Sequence, residues 1–240
     1  MSKYTNLLSE EIREKIEEYM IEKNLQPHDR LPSERFFSQM FGVNRQTVRT
    51  ALKRLKNEHH LYTLPGKGNF VSPPKYKEET ELLASFSEGW KSEGKTSSKV
   101  IEFSLIDASL SVSTNLQIEF GEKVYKLERA RCINDEYITI EISFIPEKYC
   151  KDLHRFDFSK DSLYNVLENV YGYHLSYIEE KIAITALKEE DAALLGCETG
   201  ADAFYIKGFT FDDKKRIIEY CITSDRADRY VLVSQLETLT

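Results

Sequence analysis

Four cysteines in 240 residues, Cys132, Cys150, Cys197 and Cys221, are too scattered for a disulfide framework, and no two form a C-x-x-C pair. Reduced thiols in a cytoplasmic chain are the simplest reading. No apolar run reaches the ~18 residues of a membrane helix, and the N-terminus carries no signal-peptide pattern, so a membrane partner is not expected. The five histidines, His28, His59, His60, His154 and His174, never fall at H-x-x-x-H spacing. Neither a metal nor another cofactor is expected. Internal repeats, low-complexity tracts and a long parallel βαβ series are all missing. Positive charge is scarce too: 33 Lys and Arg stand against 40 Asp and Glu, a net charge of −7.

What is present is enough apolar material for a core, with 41% hydrophobic and 12% aromatic residues. The scarce positive charge is also gathered in one place. Residues 1–72 carry twelve basic and nine acidic side chains, whereas the remainder carries 21 and 31. Within GVNRQTVRTALKRLK, residues 42–56, five are Arg or Lys and none is Asp or Glu. A basic head on an acidic body suggests that only the head meets a polyanion.

The head reads as three helices and a hairpin. Leu8, Ile12, Ile16, Tyr19 and Met20 share one helical face within residues 7–23. Pro27 and Pro32 break that helix, and Ser33 is a fitting cap for a second, SERFFSQMF, which stops at Gly42. Asn44 caps a third, running to about Asn57, whose Val48, Ala51, Leu52 and Leu55 form an apolar stripe. LYTLPGKGNFV then reads as two short strands around Pro65-Gly66-Lys67-Gly68. The pattern is a winged helix-turn-helix over residues 1–72.

A helix that buries one face shows the other, and here the other face carries Arg45, Gln46, Arg49 and Lys53. The major groove of DNA accepts a helix; Arg pairs with guanine and Gln with adenine, while Lys and Thr suit phosphates. The N-terminal end of the second helix of such a motif meets the bases. That nominates Asn44, Arg45, Gln46, Thr47 and Arg49, with Arg35 on the same side and Lys67 at the hairpin tip.

SPPKYKEETE opens an expected linker, residues 73–85, and a second domain follows over residues 86–240. This body mixes strands and short helices: KVIEFSLI, then a hairpin of KVYKLERARCI and YITIEISFI, a helix near 161–171, an extended run over 174–186, the helix KEEDAALLG, a hairpin turning near Asp213-Lys214, and a last strand from Arg229 to Leu236. The class is α+β with a mainly antiparallel sheet. Trp90 and the tyrosines read as packing, and Arg226-Ala227-Asp228-Arg229-Tyr230 as an ion-paired strand start.

In KVYKLERARCI, Tyr125, Leu127, Arg129, Arg131 and Ile133 share one face. A three-residue loop at Asn134-Asp135-Glu136 sets Arg129 opposite Glu141 and Arg131 opposite Thr139, with Ile138, Ile140, Ile142 and Phe144 on the core side. This pattern fits an exposed face with cross-strand ion pairs, or a covered site where an anion completes the charge of the arginines.

LPSERFFSQMFGVNRQTVRTALKRLK followed by GKGNFV closely resembles the DNA-binding domain of GntR-type bacterial transcriptional regulators over residues 7–71. The resemblance implies a homodimer on a palindromic double-stranded DNA operator, with Arg35, Arg45, Arg49, Gly66 and Gly68 at the DNA. SSKVIEFSLIDAS, KLERARCINDEYITIEISFIP, DSLYNVLE and IEYCITSDRADRY resemble the HutC/FarR branch, whose effector domain (UTRA) shares the chorismate-lyase fold. That likeness implies an effector site lined by Arg129, Arg131, Glu141, Ser162, Tyr164 and Glu219, and a phosphorylated sugar as the effector. Guanidinium suits phosphate, and carboxylates accept from sugar hydroxyls. Asp225 departs from phosphosugar-binding relatives, which can carry an aromatic residue there, and leaves room for a non-sugar or amine-bearing effector. Family members are usually repressors. An enzyme is not expected: the body holds no nucleophile–base pair, and a lyase-like fold does not carry lyase function. The remaining alternative is a DNA-binding protein with an inert dimerisation body.

Overall fold

The computed structural model describes residues 3–79, 86–90 and 93–234. The chain divides into two compact units, Met1–Pro74 and Lys75–Thr240.

In the first unit, α1 (Lys3–Glu22), α2 (Glu34–Phe41) and α3 (Arg45–Asn57) precede the hairpin of β1 (Leu61–Leu64) and β2 (Gly68–Val71). The apolar stripes meet as their spacing requires: Ile12 and Ile16 of α1, Phe37 of α2 and Val48, Ala51, Leu52 and Leu55 of α3 form one core with Leu31, Leu61 and Val71. Burying each such Leu, Ile or Val contributes about 1.5–3 kcal/mol. Arg30 bridges Phe70, so the segment before Pro32 extends the hairpin.

The second unit is built on a six-stranded antiparallel sheet. Its strands are β4 (Thr96–Asp107), β5 (Lys123–Ile133), β6 (Glu136–Pro146), β7 (Leu175–Ala186), β8 (Asp202–Asp212) and β9 (Ile217–Arg226). They stand in the order β4-β5-β6-β9-β8-β7. The short strand β3 (Tyr76–Glu79) pairs in parallel with β10 (Tyr230–Val233). Residues 76–79 of the expected linker are therefore strand, because Tyr76 packs with Trp90 and Tyr230. Linker residues 80–85, and Gln235 and Leu236 of the expected last strand, lie outside the described residues. Before β10, Arg226 pairs with Asp228 at 2.7 Å and Arg229 with Glu136 at 2.7 Å.

Short helices cover both faces: α4 (Phe86–Gly89), α5 (Leu110–Leu116), α6 (Leu163–Asn169) and α7 (Glu189–Leu195). Val112 and Leu116 of α5 pack with Val124, Phe144, Phe209 and Tyr220, and Ala192 and Leu195 of α7 pack with Ile140. The opposite face has two apolar ends. At one, Leu163, Val166 and Leu167 of α6 cover Tyr125, Leu127 and Ile145; at the other, Trp90, Tyr76 and Tyr230 cover Ile133 and Ile138. Between these ends the strands bring Arg129, Arg131, Glu141, Glu219 and Asp225 into a largely polar strip, with Ile206 and Cys221 among them.

The β5–β6 register has Arg129 opposite Glu141 and Arg131 opposite Thr139, but not through a three-residue loop. Asn134 and Asp135 alone form the turn, with φ of 50° and 64°, as a two-residue hairpin of the I′ kind requires. A bulge between Arg131 and Cys132 in the pairing supplies the extra residue that returns the register.

Candidate DNA interface and effector site

The exposed face of the first unit is set by its caps. The Ser33 hydroxyl accepts the Phe36 N–H at 3.3 Å, and α2 ends at Gly42 in the left-handed region, φ 66°. Asn44 Oδ1 then accepts the Thr47 N–H at 2.8 Å and opens α3. Asn44, Arg45, Gln46, Arg49 and Lys53 are exposed, as is Arg35 on α2. Thr47 departs from the expected contact set: it is 4% exposed and its hydroxyl donates to Asn44 Oδ1 at 3.1 Å. Its side chain serves the cap.

At the hairpin, the Lys67 N–H donates to the Leu64 carbonyl at 2.9 Å, and Gly66 has φ 73°. With Pro65 before Gly66, this is a type II turn that leaves Lys67 exposed at its tip. Gly68 has φ 111°, and a Cβ there would stand 3.4 Å from Arg30 Nε, so this arginine lies against the base of the wing.

Glu34 joins the two exposed arginines of α3, Arg45 and Arg49. Arg49 Nε and Nη2 donate to its two carboxylate oxygens at 3.0 and 2.9 Å, and Arg45 Nη2 lies 3.6 Å from Oε2. The Arg49 fork holds the Glu34 carboxyl below its ordinary range and raises the guanidinium in turn. Sequence reasoning missed both Glu34 and Arg30; the signal for Glu34 was its place in L-P-S-E-R. Elsewhere on this unit Glu17, Glu58 and His60 gather within 4.8 Å, but Arg13 binds both glutamates, at 2.8 and 3.5 Å, as an ion-pair network does.

In the second unit the polar strip brings most of the expected effector residues together. Arg129 and Arg131 are 3% and 5% exposed. Arg129 Nη2 donates to Glu141 Oε1, whereas Arg131 Nε lies 3.8 Å from Glu141 Oε2. The Nε–H groups of both arginines find no acceptor among the described residues. The Arg131 guanidinium also lies over the Phe86 ring, 4.3 Å from its centroid. Burial draws Arg131 down to about 10, against the pull of Glu141, and it stays charged at neutral pH.

Asp225 accepts the hydroxyls of Thr139 and Thr223, each at 2.8 Å. Glu219 accepts the Thr210 hydroxyl at 2.9 Å, and Tyr164 Oη lies 3.0 Å from the same Thr210 oxygen. Ser162 is used differently: its hydroxyl caps α6, accepting the Asn165 N–H at 3.3 Å. Thr139 was legible opposite Arg131, whereas Thr210, Thr223 and Phe86 had no signal in the sequence, since each enters through long-range strand order or packing.

A winged head that presents arginines, joined to a sheet unit with a buried charged strip, defines a DNA-binding regulator with a sensory unit. The chain belongs to the GntR family of bacterial regulatory proteins: that family's model matches residues 8–71, and the UTRA domain model matches residues 91–231. It is similar to the HTH-type transcriptional repressor NagR of Bacillus subtilis (strain 168), 34% identical over 96% of this chain and 95% of that one. It is also similar to the mannosyl-D-glycerate transport/metabolism system repressor MngR of Escherichia coli (strain K12), 27% identical over 93% of each chain. The crystal structure of PhnF from Mycobacterium smegmatis shares the fold, with a TM-score of 0.67 at 22% identity, over 95% of this chain and 100% of that one. The chain is thus a transcriptional regulator and not an enzyme; regulators of this build bind DNA and, through the UTRA domain, small-molecule effectors. Among the described residues, no helix is long and apolar enough to cross a membrane.

Proposed function

We propose that this chain is a repressor that binds a palindromic operator as a homodimer and responds to a phosphorylated sugar. On this reading Arg35, Asn44, Arg45, Gln46 and Arg49 meet the major groove, and Gly66, Lys67 and Gly68 bring the wing to the backbone or minor groove. The phosphate sits at Arg129 and Arg131, with the carboxylates of Glu141 and Glu219 and the Tyr164 hydroxyl toward the sugar hydroxyls. Ligand binding shifts the dimer geometry, and with it the spacing of the two heads on their half-sites.

The observation that carries the effector reading is the pair of buried arginines whose Nε–H groups lack an acceptor among the described residues. Leaving a buried donor unmet costs about 1–3 kcal/mol. Glu141 hydrogen-bonds Arg129 and stands 3.8 Å from Arg131, which leaves both Nε–H groups unmet, and a phosphate offers several strong acceptors. The relative named for mannosyl-D-glycerate adds support for a sugar-derived effector. A second reading rests on Asp225, whose carboxylate is 2% exposed in the same strip. It suits an effector that bears an amine beside its phosphate.

A thermal-shift screen of the full chain tests this, with hexose phosphates, amino-sugar phosphates, the unphosphorylated sugars and inorganic phosphate. A ligand at a hundredfold above its Kd stabilises by about 2.7 kcal/mol. The expected hit is a phosphorylated sugar that also changes operator affinity, and Arg129→Ala or Arg131→Lys abolishes its shift. A body that no metabolite stabilises overturns the effector reading and leaves an inert dimerisation unit.

A further inference from the structure

The reading above gives no role to Glu34, an acidic side chain set among the recognition arginines. Glu34 is the first residue of α2, directly after the Ser33 cap. Its carboxylate receives both forked bonds of Arg49 and stands 3.6 Å from Arg45. The glutamate side chain is only 25% exposed, whereas those of Arg45 and Arg49 are 62% and 57% exposed. With its carboxyl held below the ordinary range, Glu34 is anionic at neutral pH.

For DNA affinity alone this is a poor choice. A carboxylate repels phosphates, and it engages donors that phosphates would otherwise take. Its benefit lies elsewhere. Arg45 and Arg49 stand four residues apart on one helix, where like charges repel. Glu34 offsets that repulsion and fixes the Arg49 fork through two parallel bonds. A guanidinium already in place loses less freedom when it meets a base edge. A guanidinium already engaged is also slower to collapse onto the nearest phosphate.

We infer that Glu34 is a specificity-determining residue: it poises Arg45 and Arg49 for base edges and withholds them from the phosphates of non-cognate DNA. This rests on the reading that both arginines face DNA. The competing role is a plain tie between α2 and α3, and exposed ion pairs of that kind add little stability.

The test compares the full-length wild type with Glu34→Gln on two duplexes across a salt series. One duplex is selected from a random pool by the wild-type chain; the other is its scrambled sequence of equal length and composition. For the variant, affinity for the scrambled duplex rises about five- to tenfold, and the selected-to-scrambled ratio falls about tenfold or more, as expected when a guanidinium gains a phosphate contact worth one bidentate base pairing. The log–log salt slope on the scrambled duplex steepens by about 0.9, one further phosphate neutralised. Glu34→Asp, which keeps the charge, stays nearer the wild type in both measures. A ratio and slope unchanged in Glu34→Gln overturn the inference. So does a parallel loss of affinity for both duplexes with a lower Tm, the signature of a structural tie. Arg45→Ala and Arg49→Ala separate the levels. If they bind the selected duplex like the wild type, the recognition face itself is misread; if they lose affinity while Glu34→Gln keeps its ratio, only the role of Glu34 falls.

Discussion

Each unit of the molecule sets two arginines beside one glutamate, Arg45 and Arg49 with Glu34 and Arg129 and Arg131 with Glu141, and the surroundings make the two sets different. On the first unit the side chains of Arg45 and Arg49 are 62% and 57% exposed beside Glu34. On the second, those of Arg129 and Arg131 are 4% and 6% exposed beside Glu141. Hydration lets the exposed pair exchange one partner for another at small cost, which suits a long polyanion met and released as a surface. The buried pair has lost its water, and burial pulls Arg131 down even with a carboxylate nearby. Such a site favours a compact anion that fills the unmet donors. On the proposed reading, exposure more than residue type separates the two sets.

The largest test of that contrast removes each glutamate in turn. Glu141→Ala leaves two buried guanidiniums without their anion, and breaking a buried pair in this way costs about 3–5 kcal/mol. Glu34→Ala, at an exposed pair, shifts Tm by under about 3 °C. Denaturant and thermal melts of the full chain check both; equal costs would mean that the sheet strip is as open as the helix face.

Next in size is the loss of one arginine from each set. Arg49→Ala weakens binding to the selected duplex about tenfold to a hundredfold with Tm unchanged, the range of one bidentate base contact. Arg131→Met, which replaces a buried cation by an apolar chain of similar length, keeps DNA binding and loses the effector's thermal shift. If each substitution impaired both activities equally, the division of labour between the two sets would be wrong.

Much of this contrast was legible in the residues themselves. The helical stripe Val48, Ala51, Leu52 and Leu55 dictated which face of α3 stays outside, and strand alternation placed Arg129 and Arg131 on one face. The pairing of Arg129 with Glu141 was also legible, although the assumed loop was a residue too long and a bulge made up the difference. What stayed hidden depended on contacts between distant segments. Thr223 reaches the strip because β9 lies beside β6, and the linker residue Tyr76 pairs with Tyr230. Helix α5 escaped notice because SLSVSTNL is rich in serine and β-branched residues, weak helix formers that the Ser109 cap and the burial of Val112 and Leu116 outweigh. Thr47 reads as a DNA contact until its hydroxyl is seen on Asn44. Glu34 is visible as a letter in a motif, but its hold on Arg49 needs the crossing of α2 and α3.

The smallest effect concerns protons, and it separates the two sets by pH. Glu141 and Glu219 share the strip and shift in opposite directions. Burial raises Glu141, but Arg129 and Arg131 more than offset it and leave it below its ordinary value. Burial raises Glu219 too, the charge of Glu141 adds to this, and bonds from Ser143 and Thr210 with the pull of Arg129 offset only part. A carboxyl whose folded value is raised binds its proton more tightly in the native state, so stability falls as pH climbs above the unfolded value of about 4.3. Glu141 works the other way, adding stability above that value that is lost as pH falls through its lowered one. Glu219→Gln removes the first slope. The Tm difference between this variant and the wild type therefore grows more positive as pH rises above the unfolded value. Glu34→Gln shows no such rise, because a carboxyl held below its ordinary range by Arg49 stays ionised there. Melts at three or four pH values decide it: a Glu219→Gln curve parallel to the wild type would show that this carboxyl titrates as freely as one on the surface, and the buried strip would lose its claim to a dry interior.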